Sequence, residues 1–585
     1  MKRRIVSVAV AALFIVSLFA GCAKNTAEAF NGFTDRMFKE LVVGDAITCH
    51  YILAHPEEAG VTDIPTGLGS YRSTDEDYGR LEGYLKELEE YPYEELNAQQ
   101  QVTHDVLKHE LERELAKRQY DDYAEDLSPT VGLQAQLPVT LVEYTLRTKE
   151  DVENYLTLIA DLDRYFGEVL DHEKAKSEKG LFMSDRSVDD ILEQMDSFME
   201  NPDENVMIVT FPERLNAVEG LSEEEKAAYA ERNEKLVKEN VLGAYGKLRD
   251  GLAALKGTGK NEGGLAGYEG GREYYASLAA EATGSSRSVE EMKALLEELV
   301  ETNMTEMVNV MMKNPDCLEE MMSYAPTLTD PTAMVEDLRG KIGASFPEPP
   351  ETAYTIKTVN ESLESFLSPA FYMIPPADDY RNNSIYINES EQYEAMDIYT
   401  TLAHEAYPGH LYQNVYFSST GAPYIRHLFS FAGYSEGWAT YVEHRYAYDY
   451  SERSEDVAKM DAANNLATLA LHGIIDIGVN YEGWTREELS QYMAGFFEVD
   501  DELVDTMYTA MVEEPGNYLS YVVGCAEFLE LREKAEETLG GAFSEKEFHR
   551  FLLETGPVPF PVLEKHMESW MEGVLVPKST LEPAA

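Results

Sequence analysis

Two histidines six residues apart are at the centre of the chemistry that this sequence could perform. Glu405 follows His404, and Pro408 and Gly409 precede His410. On an α-helix of about 100° per residue, side chains six positions apart point about 240° apart, so a regular helix cannot bring both imidazoles to one metal ion. Pro and Gly interrupt helices. We therefore expect the helix to be interrupted here, so that the side chain of His410 lies next to that of His404.

An acidic group further along the chain would complete a metal site. Zinc in hydrolases takes three protein ligands and leaves one position open. Glu436 follows His410, and Glu443 lies seven residues beyond Glu436, on about the same helix face. We predict one zinc ion held by His404, His410 and Glu436, with Glu443 orienting a ligand histidine from behind. The spacing alone also permits two structural histidines without a metal.

Glu405 is the predicted general base of such a site. A zinc ion lowers the pKa of water and polarises a carbonyl group, and a neighbouring carboxylate can take the proton from the attacking water. An alternative is a serine hydrolase, because residues 433–437 match the GxSxG pattern around Ser435, with Asp476 and His549 downstream. That motif needs a strand before the serine, and the surrounding sequence does not favour one.

The two motifs resemble those of a known family. Residues 404–410 (HEAYPGH) and 436–443 (EGWATYVE) are similar to the HExxPGH and EGWxxYxE motifs of the bacterial domain-of-unknown-function 885 family. The similarity extends over nearly the whole mature chain, including residues 375–388, 471–484 and 515–532. It implies a mainly helical fold like that of the gluzincin oligopeptidases, with a deep channel, at most a small β element, and zinc-dependent peptidase activity.

The resemblance also implies roles for residues outside the two motifs. Tyr521 matches the tyrosine of a family Ser-Tyr pair and is the predicted donor to the oxyanion of the transition state. Tyr518 is the alternative donor and is otherwise placed near the substrate, and Asp476 is placed behind the metal ligands. Asn480 stands where the family usually has His, so we assign it no role. Arg381 could bind a substrate carboxylate, with a structural salt bridge as the alternative.

The N-terminus has the pattern of an export signal. Basic residues at 2–4 precede an uncharged apolar stretch at 5–20, which is shorter than the roughly 20 residues of a membrane-spanning helix. Residues 18–22 (LFAGC) resemble a bacterial lipobox. We predict a signal peptide at 1–21, a lipidated Cys22, and a protein anchored in the cell envelope outside the cytoplasmic membrane. An ordinary secretory signal is the alternative.

The charge of the chain excludes one class of partner. The 585 residues include 48 Lys and Arg against 108 Asp and Glu, a formal net charge of −60 that becomes −63 without residues 1–21. Nucleic-acid binding depends on clustered basic residues, so we expect no nucleic-acid partner. The family resemblance implies a peptide or oligopeptide substrate. A non-catalytic envelope lipoprotein that binds metal or peptide is the alternative. The sequence does not indicate an oligomeric state.

Most of the mature sequence shows helical periodicity. Four capping boxes predict helix starts, at Ser222/Glu225, Ser288/Glu291, Thr485/Glu488 and Ser544/Glu547. Residues 384–388 are the best strand candidate, and the Gly-rich residues 256–272 predict a surface connection. We expect a lipidated tether at 22–40, leading into the first helix. One large helical domain at 41–575 would follow, with its N-terminal half ending at about 345 and its metal-site half at 346–575.

Overall fold

The computed structural model describes residues 26–129, 132–359, 364, 367–393 and 396–576, so the predicted signal peptide and Cys22 lie outside it. Within the described residues the chain is built from helices and one three-stranded sheet. The prediction of a mainly helical protein with a small β element is therefore confirmed. No helix in this part of the chain has both the length and the apolar character of a transmembrane span.

The helices before the sheet are α1 (26–42), α2 (Ala46–Ile52), α3 (Asp75–Leu88), α4 (Ala98–Lys117), α5 (Leu133–Glu143), α6 (Lys149–Lys179), α7 (Asp185–Met199), α8 (Val206–Val209), α9 (Phe211–Asn216), α10 (Glu223–Leu236), α11 (Leu242–Leu255), α12 (Gly271–Thr283), α13 (Val289–Lys313), α14 (Cys317–Met322) and α15 (Pro331–Lys341). Those after it are α16 (Tyr399–Glu405), α17 (His410–Ser419), α18 (Ala432–Val442), α19 (Tyr448–Tyr450), α20 (Glu455–Ile477), α21 (Arg486–Met493), α22 (Asp501–Glu513), α23 (Asn517–Leu539), α24 (Glu545–Thr555) and α25 (Phe560–Leu575).

Local sequence signals set several helix starts. The capping boxes at Ser222, Ser288 and Thr485 form as predicted, each with the side chain of the cap and of the third helical residue exchanging hydrogen bonds with the backbone. α24 also starts after Ser544, but this serine makes no capping hydrogen bond. The predicted capping box at Ser544 does not form, although the helix boundary that it predicts is correct.

The predicted N-terminal tether is wrong for residues 26–40. This segment belongs to α1, and its Phe30, Phe33 and Phe38 are almost completely buried against side chains of α3 and α4. Burial of these three aromatic side chains stabilises the packing of α1 on the rest of the domain by several kcal/mol, at roughly 1.5–3 kcal/mol for each large apolar side chain. The folded domain therefore begins before residue 41.

The sheet contains β1 (Ala353–Thr358), β2 (Ala370–Met373) and β3 (Asn382–Ile387) in the order β1-β3-β2. β1 runs parallel to β3, and β2 runs antiparallel to it with Tyr372 opposite Ile385. β3 contains most of the predicted strand at 384–388. Because β3 is in the middle, β2 has one free edge, and this edge faces the C-terminal end of α16.

The two largest hydrophobic cores of the described residues occupy the two parts of the molecule. Leu156, Ile191 and Leu248 belong to a core formed mainly by α5–α11, whereas Leu296 and Trp438 belong to a second core formed mainly from α12 onwards. α12–α15 thus pack with the metal-site half, and the change of core falls at the Gly-rich residues 256–272. The segment that follows the predicted boundary near residue 345 contributes to both cores, with Val359 in the first and Tyr372 in the second, so this boundary stays a prediction.

The three cysteines of the described chain are Cys49, Cys317 and Cys525, and all are buried and unpaired. Burial raises the pKa of the Cys49 thiol to about 11, so this side chain carries little of the reactive thiolate at neutral pH.

Candidate metal centre

The helix is interrupted between the two motif histidines, as the sequence predicts. α16 ends at Glu405 and α17 begins at His410, and the backbone N–H of Gly409 donates to the carbonyl oxygen of Ala403 at 3.0 Å. The imidazole rings of His404 and His410 lie 4.8 Å apart between centroids, with their planes at 82°. The break therefore brings together two side chains that a continuous helix would separate.

Close contacts fix the shape of this break. A Cβ atom on Gly409 would lie 1.7 Å from the carbonyl oxygen of His404, so no larger residue fits without moving the backbone. The buried Trp438 of α18 donates its indole N–H to the carbonyl oxygen of Pro408 at 2.9 Å. The break is thereby tied to the helix that carries the next candidate ligand.

Glu436 of α18 completes a set of three donors. Its Oε2 atom lies 3.4 Å from Nε2 of His404 and 3.4 Å from Nε2 of His410, and the three donor atoms all lie within 4.8 Å of one another. Donors around a tetrahedral zinc ion, at bond lengths of about 2.0–2.1 Å, are separated by about 3.4 Å. Two imidazoles and one carboxylate at these distances fit one zinc ion.

Glu443 contacts the opposite edge of the same imidazole. Its Oε2 atom lies 3.5 Å from Nδ1 of His404, while its Oε1 atom accepts a hydrogen bond from the Tyr448 hydroxyl at 3.5 Å. A carboxylate at Nδ1 keeps the proton on that nitrogen, which leaves the Nε2 lone pair free for a metal. The structure thus places Glu443 where the sequence predicts an orienting group.

The charges around His404 and Glu436 shift both of their pKa values. Burial lowers the pKa of His404, but Glu436, Glu443 and Glu405 outweigh burial and hold that pKa well above its usual value. Burial raises the pKa of Glu436, but hydrogen bonds with His404 and His410 outweigh this and lower it. The centre therefore attracts positive charge, in the form of a proton or a metal cation.

Glu405 lies beside the three donors and is held by the sheet. Its Oε2 atom accepts a hydrogen bond from the backbone N–H of Tyr372 in β2 at 2.8 Å. This contact orients the carboxylate of the predicted general base. Tyr372 is a functional residue that the sequence analysis missed, because a backbone N–H leaves no signature in residue type.

Tyr521 reaches the centre from α23. Its ring stacks near that of His404, with 6.3 Å between centroids and 23° between planes. α18 and α23 can approach closely because both have glycine at the contact: a Cβ on Gly437 would lie 2.4 Å from the carbonyl carbon of Gly524. Burial raises the pKa of the Tyr521 phenol, and Glu436 and Glu405 raise it further, so the hydroxyl keeps its proton. Tyr518, one turn earlier, contacts His472 instead, with 4.6 Å between ring centroids.

Arg381 lies at the start of β3, on the protein surface. Its side chain is exposed, and its guanidinium lies over the ring of Tyr380, 5.6 Å from the centroid. Among the described residues it forms no salt bridge, so the structural ion pair that the sequence left open is not found there. Its role toward a substrate carboxylate stays a prediction.

Asp476 is not behind the metal ligands. Its carboxylate accepts hydrogen bonds from the Tyr275 hydroxyl at 2.9 Å, the Asn480 amide at 2.6 Å and the Gly516 N–H at 2.8 Å. Burial raises the pKa of Asp476 to about 7, although the hydrogen bonds from these three donors lower it. The predicted role is corrected: Asp476 anchors Gly516, which precedes α23, and so helps to position the helix of Tyr521.

The serine-hydrolase alternative fails on local structure. Ser435 lies inside α18, which follows a loop and a 3-10 turn at 424–427 rather than a strand. Asp476 has the partners given above, and His549 contacts the Tyr441 hydroxyl and the carbonyl oxygen of Ser345. A strand, the serine and a helix are all required for a nucleophile elbow.

Comparison with solved structures shows the fold. The protein named "putative lipoprotein from Colwellia psychrerythraea" is 17% identical over 94% of this chain and 100% of its own, with a TM-score of 0.82. A "putative lipoprotein of unknown function from Shewanella oneidensis" is also 17% identical, over 92% of this chain and 99% of its own, with a TM-score of 0.60. A "putative oligoendopeptidase F from Bacillus anthracis" is 11% identical over 88% of this chain and 98% of its own, and its TM-score of 0.29 is too low to support an argument.

The family comparison covers both halves and every residue of the candidate centre. None of the curated proteins matches this chain. The model of the family described as "Bacterial protein of unknown function (DUF885)" matches residues 66–567. Since this match spans most of the chain and includes His404, His410 and Glu436, the chain belongs to the DUF885 family.

Proposed function

We propose that this protein is a zinc-dependent peptidase of the cell envelope. The observation that carries the proposal is the convergence of His404, His410 and Glu436 at zinc-ligand distances, with Glu405 beside them. A bound zinc ion would supply a Lewis acid that polarises the scissile carbonyl group and lowers the pKa of water. These donor types support metal-assisted hydrolysis, and the resemblance of residues 404–410 and 436–443 to the family motifs supports peptide bonds as the substrate.

The protein's own groups would perform the proton transfers. Glu405, oriented by the Tyr372 N–H, takes a proton from the attacking water and then returns it to the leaving amine. Tyr521 donates a hydrogen bond to the oxygen that gains negative charge in the transition state. Arg381, exposed and without an acidic partner among the described residues, is available to a substrate carboxylate.

Export and anchoring belong to the same proposal. The signal-like residues 1–21 and the lipobox-like end at Cys22 support a lipoprotein outside the cytoplasmic membrane. Both solved proteins that share the fold carry the description "putative lipoprotein". A lipid on Cys22 would attach the helical domain to the surface of a membrane.

The test uses the soluble chain from residue 23, with zinc content and digestion of a peptide library as the two measurements. We expect about one zinc ion for each chain, and hydrolysis that Glu405→Gln reduces at least about 10²-fold while the zinc remains bound. Glu224→Gln is the matched control, since it removes the same charge from an exposed position of α10. Cys22→Ser in the full chain, followed by membrane fractionation, tests the anchor.

The other outcomes separate the alternatives. Zinc bound without hydrolysis of any peptide would favour a non-catalytic binding lipoprotein. A chain that holds no zinc and cleaves no peptide would contradict both the enzyme and the metal centre.

A further inference from the structure

A large cavity lies beside the sheet, outside the metal centre. Its volume is about 960 Å³, within the range of about 300–1,000 Å³ that ligand sites occupy in proteins. It lies between α2 and α5 of the N-terminal half and β2 of the sheet. Its main apolar walls are Ile47, Tyr51, Val139, Phe371, Met373 and Leu428.

None of the described side chains that line the cavity is charged, although 27% of the residues in the chain are charged. The Tyr51 hydroxyl is already used, because it donates to the carbonyl oxygen of Thr140 at 2.7 Å. Moving a charged group from water into such surroundings without a partner costs several kcal/mol. The lining also includes uncharged polar side chains, among them Thr48, Gln136 and Gln194. The cavity therefore suits an uncharged and largely apolar group.

β2 connects this cavity with the metal centre. The Tyr372 N–H points to the free edge of the strand, where it meets Glu405. Side chains alternate between the two faces of a strand: Tyr372 packs on the metal-site core, while Phe371 and Met373 face the cavity. The four-residue strand β2 therefore orients the predicted general base through its edge and also forms one wall of the cavity.

An extended peptide along the open edge of β2 would have the same alternation, and its backbone would pair with edge groups other than the Tyr372 N–H, which donates to Glu405. Strand addition uses backbone hydrogen bonds for affinity and pockets for alternate side chains for specificity. In such a peptide, one set of side chains would lie on the Phe371 and Met373 face of the sheet, at the cavity, while the backbone passes Glu405. The position of the cavity therefore relates it to the substrate rather than to a separate ligand.

We propose that the cavity is the specificity pocket of this peptidase and binds a large uncharged apolar side chain, aromatic or aliphatic, of an extended peptide on the edge of β2. This inference rests on the proposed function for its substrate class. Binding, however, can be measured without hydrolysis.

The experiment compares three blocked peptides, acetyl-Ala-Ala-Phe-Ala-Ala-amide and its versions with Asp or Lys at the centre. Calorimetric binding is measured on zinc-loaded Glu405→Gln, and hydrolysis on the unmodified chain. We expect the Phe peptide to bind at least about tenfold more tightly than the other two. Adding Ile47→Glu places a negative charge in the cavity, and it should weaken the Phe peptide about tenfold while strengthening the Lys peptide.

Ile374→Glu is the matched control, since Ile374 directly follows β2 and is 62% exposed. It adds the same charge close to the centre but outside the cavity, and it should leave the order of the three peptides unchanged. The gain for the Lys peptide in Ile47→Glu cannot come from misfolding. Equal binding of all three peptides, or an order that Ile47→Glu does not change, would overturn the inference. Selective binding without hydrolysis would contradict the proposed function alone, and hydrolysis without selectivity would contradict the pocket alone.

Discussion

At the scale of single residues, His404 is the side chain that two carboxylates of the centre contact. Glu436 contacts its Nε2 edge and Glu443 its Nδ1 edge. The carboxylate behind a ligand histidine raises the basicity of the ring, and its loss typically weakens metal binding 10- to 100-fold. We expect Glu443→Gln to raise the zinc dissociation constant by about this factor, measured by competition with a chelator. Glu224→Gln should leave it unchanged.

Protons should compete with zinc at the same histidine. The neighbouring carboxylates raise the pKa of His404, so zinc affinity should fall as pH is lowered through that raised value. In the metal-free chain, the stabilisation by protonated His404 is fully present below the unfolded pKa of about 6.5 and is lost as pH rises through the higher folded pKa. Chelator competition and thermal unfolding at a series of pH values measure both effects. Zinc affinity that is constant between about pH 6 and about pH 8 would contradict the assignment.

Tyr521→Phe separates hydrolysis from metal binding. Removing one oxyanion donor typically lowers kcat by about 10²–10³-fold, and the ring that stacks near His404 is kept. We expect kcat to fall by this amount, with zinc content and KM little changed. Tyr518→Phe serves as the comparison, because Tyr518 contacts His472 rather than the centre. A larger effect of Tyr518→Phe than of Tyr521→Phe would exchange the two roles.

At the scale of elements, the centre depends on the break between α16 and α17. Gly409→Ala would force a Cβ to within 1.7 Å of a backbone oxygen, at a cost of about 1–3 kcal/mol if the backbone shifts. We expect this variant to lose zinc and hydrolysis, because the shift moves His410 relative to His404. Gly340→Ala in α15 is the control, since its Cβ would meet no atom within 4 Å. Normal zinc binding in Gly409→Ala would show that the break tolerates movement.

At the scale of the whole molecule, the acid excess should act on substrates before they bind. A formal net charge of −60 on the chain, or −63 if residues 1–21 are removed as proposed, attracts cations over about one Debye length, roughly 8 Å at physiological salt. We expect basic residues that flank the apolar side chain to raise kcat/KM, and the advantage to shrink as salt increases. Hydrolysis of Lys-flanked and Glu-flanked versions of one peptide at two salt concentrations measures this. A preference that salt does not change would point to direct contacts instead.

Several parts of the site could be predicted because they depend on short stretches of chain. The break at Pro408 and Gly409 follows from helix geometry and two residue types, and Glu436 and Glu443 share a face because they are seven residues apart. Histidine content alone is a weaker signal than spacing. Of the five at 404–472, three have other partners: His427 lies on Phe417, His444 contacts the carbonyl oxygen of Ala462, and His472 contacts that of Thr468.

The sequence by itself determined the donor types, the helix break, the spacing of the acidic groups and the mainly helical class, since each follows from local geometry. Only the tertiary structure decided that Tyr372 holds Glu405, that Asp476 anchors Gly516, that α1 is packed and that a cavity adjoins β2. These features depend on which elements pack together. Tyr275 and Asp476, for example, are 201 residues apart in the chain. A buried hydrogen bond or cavity is the joint result of many apolar contacts between elements, and no short stretch of sequence contains that information.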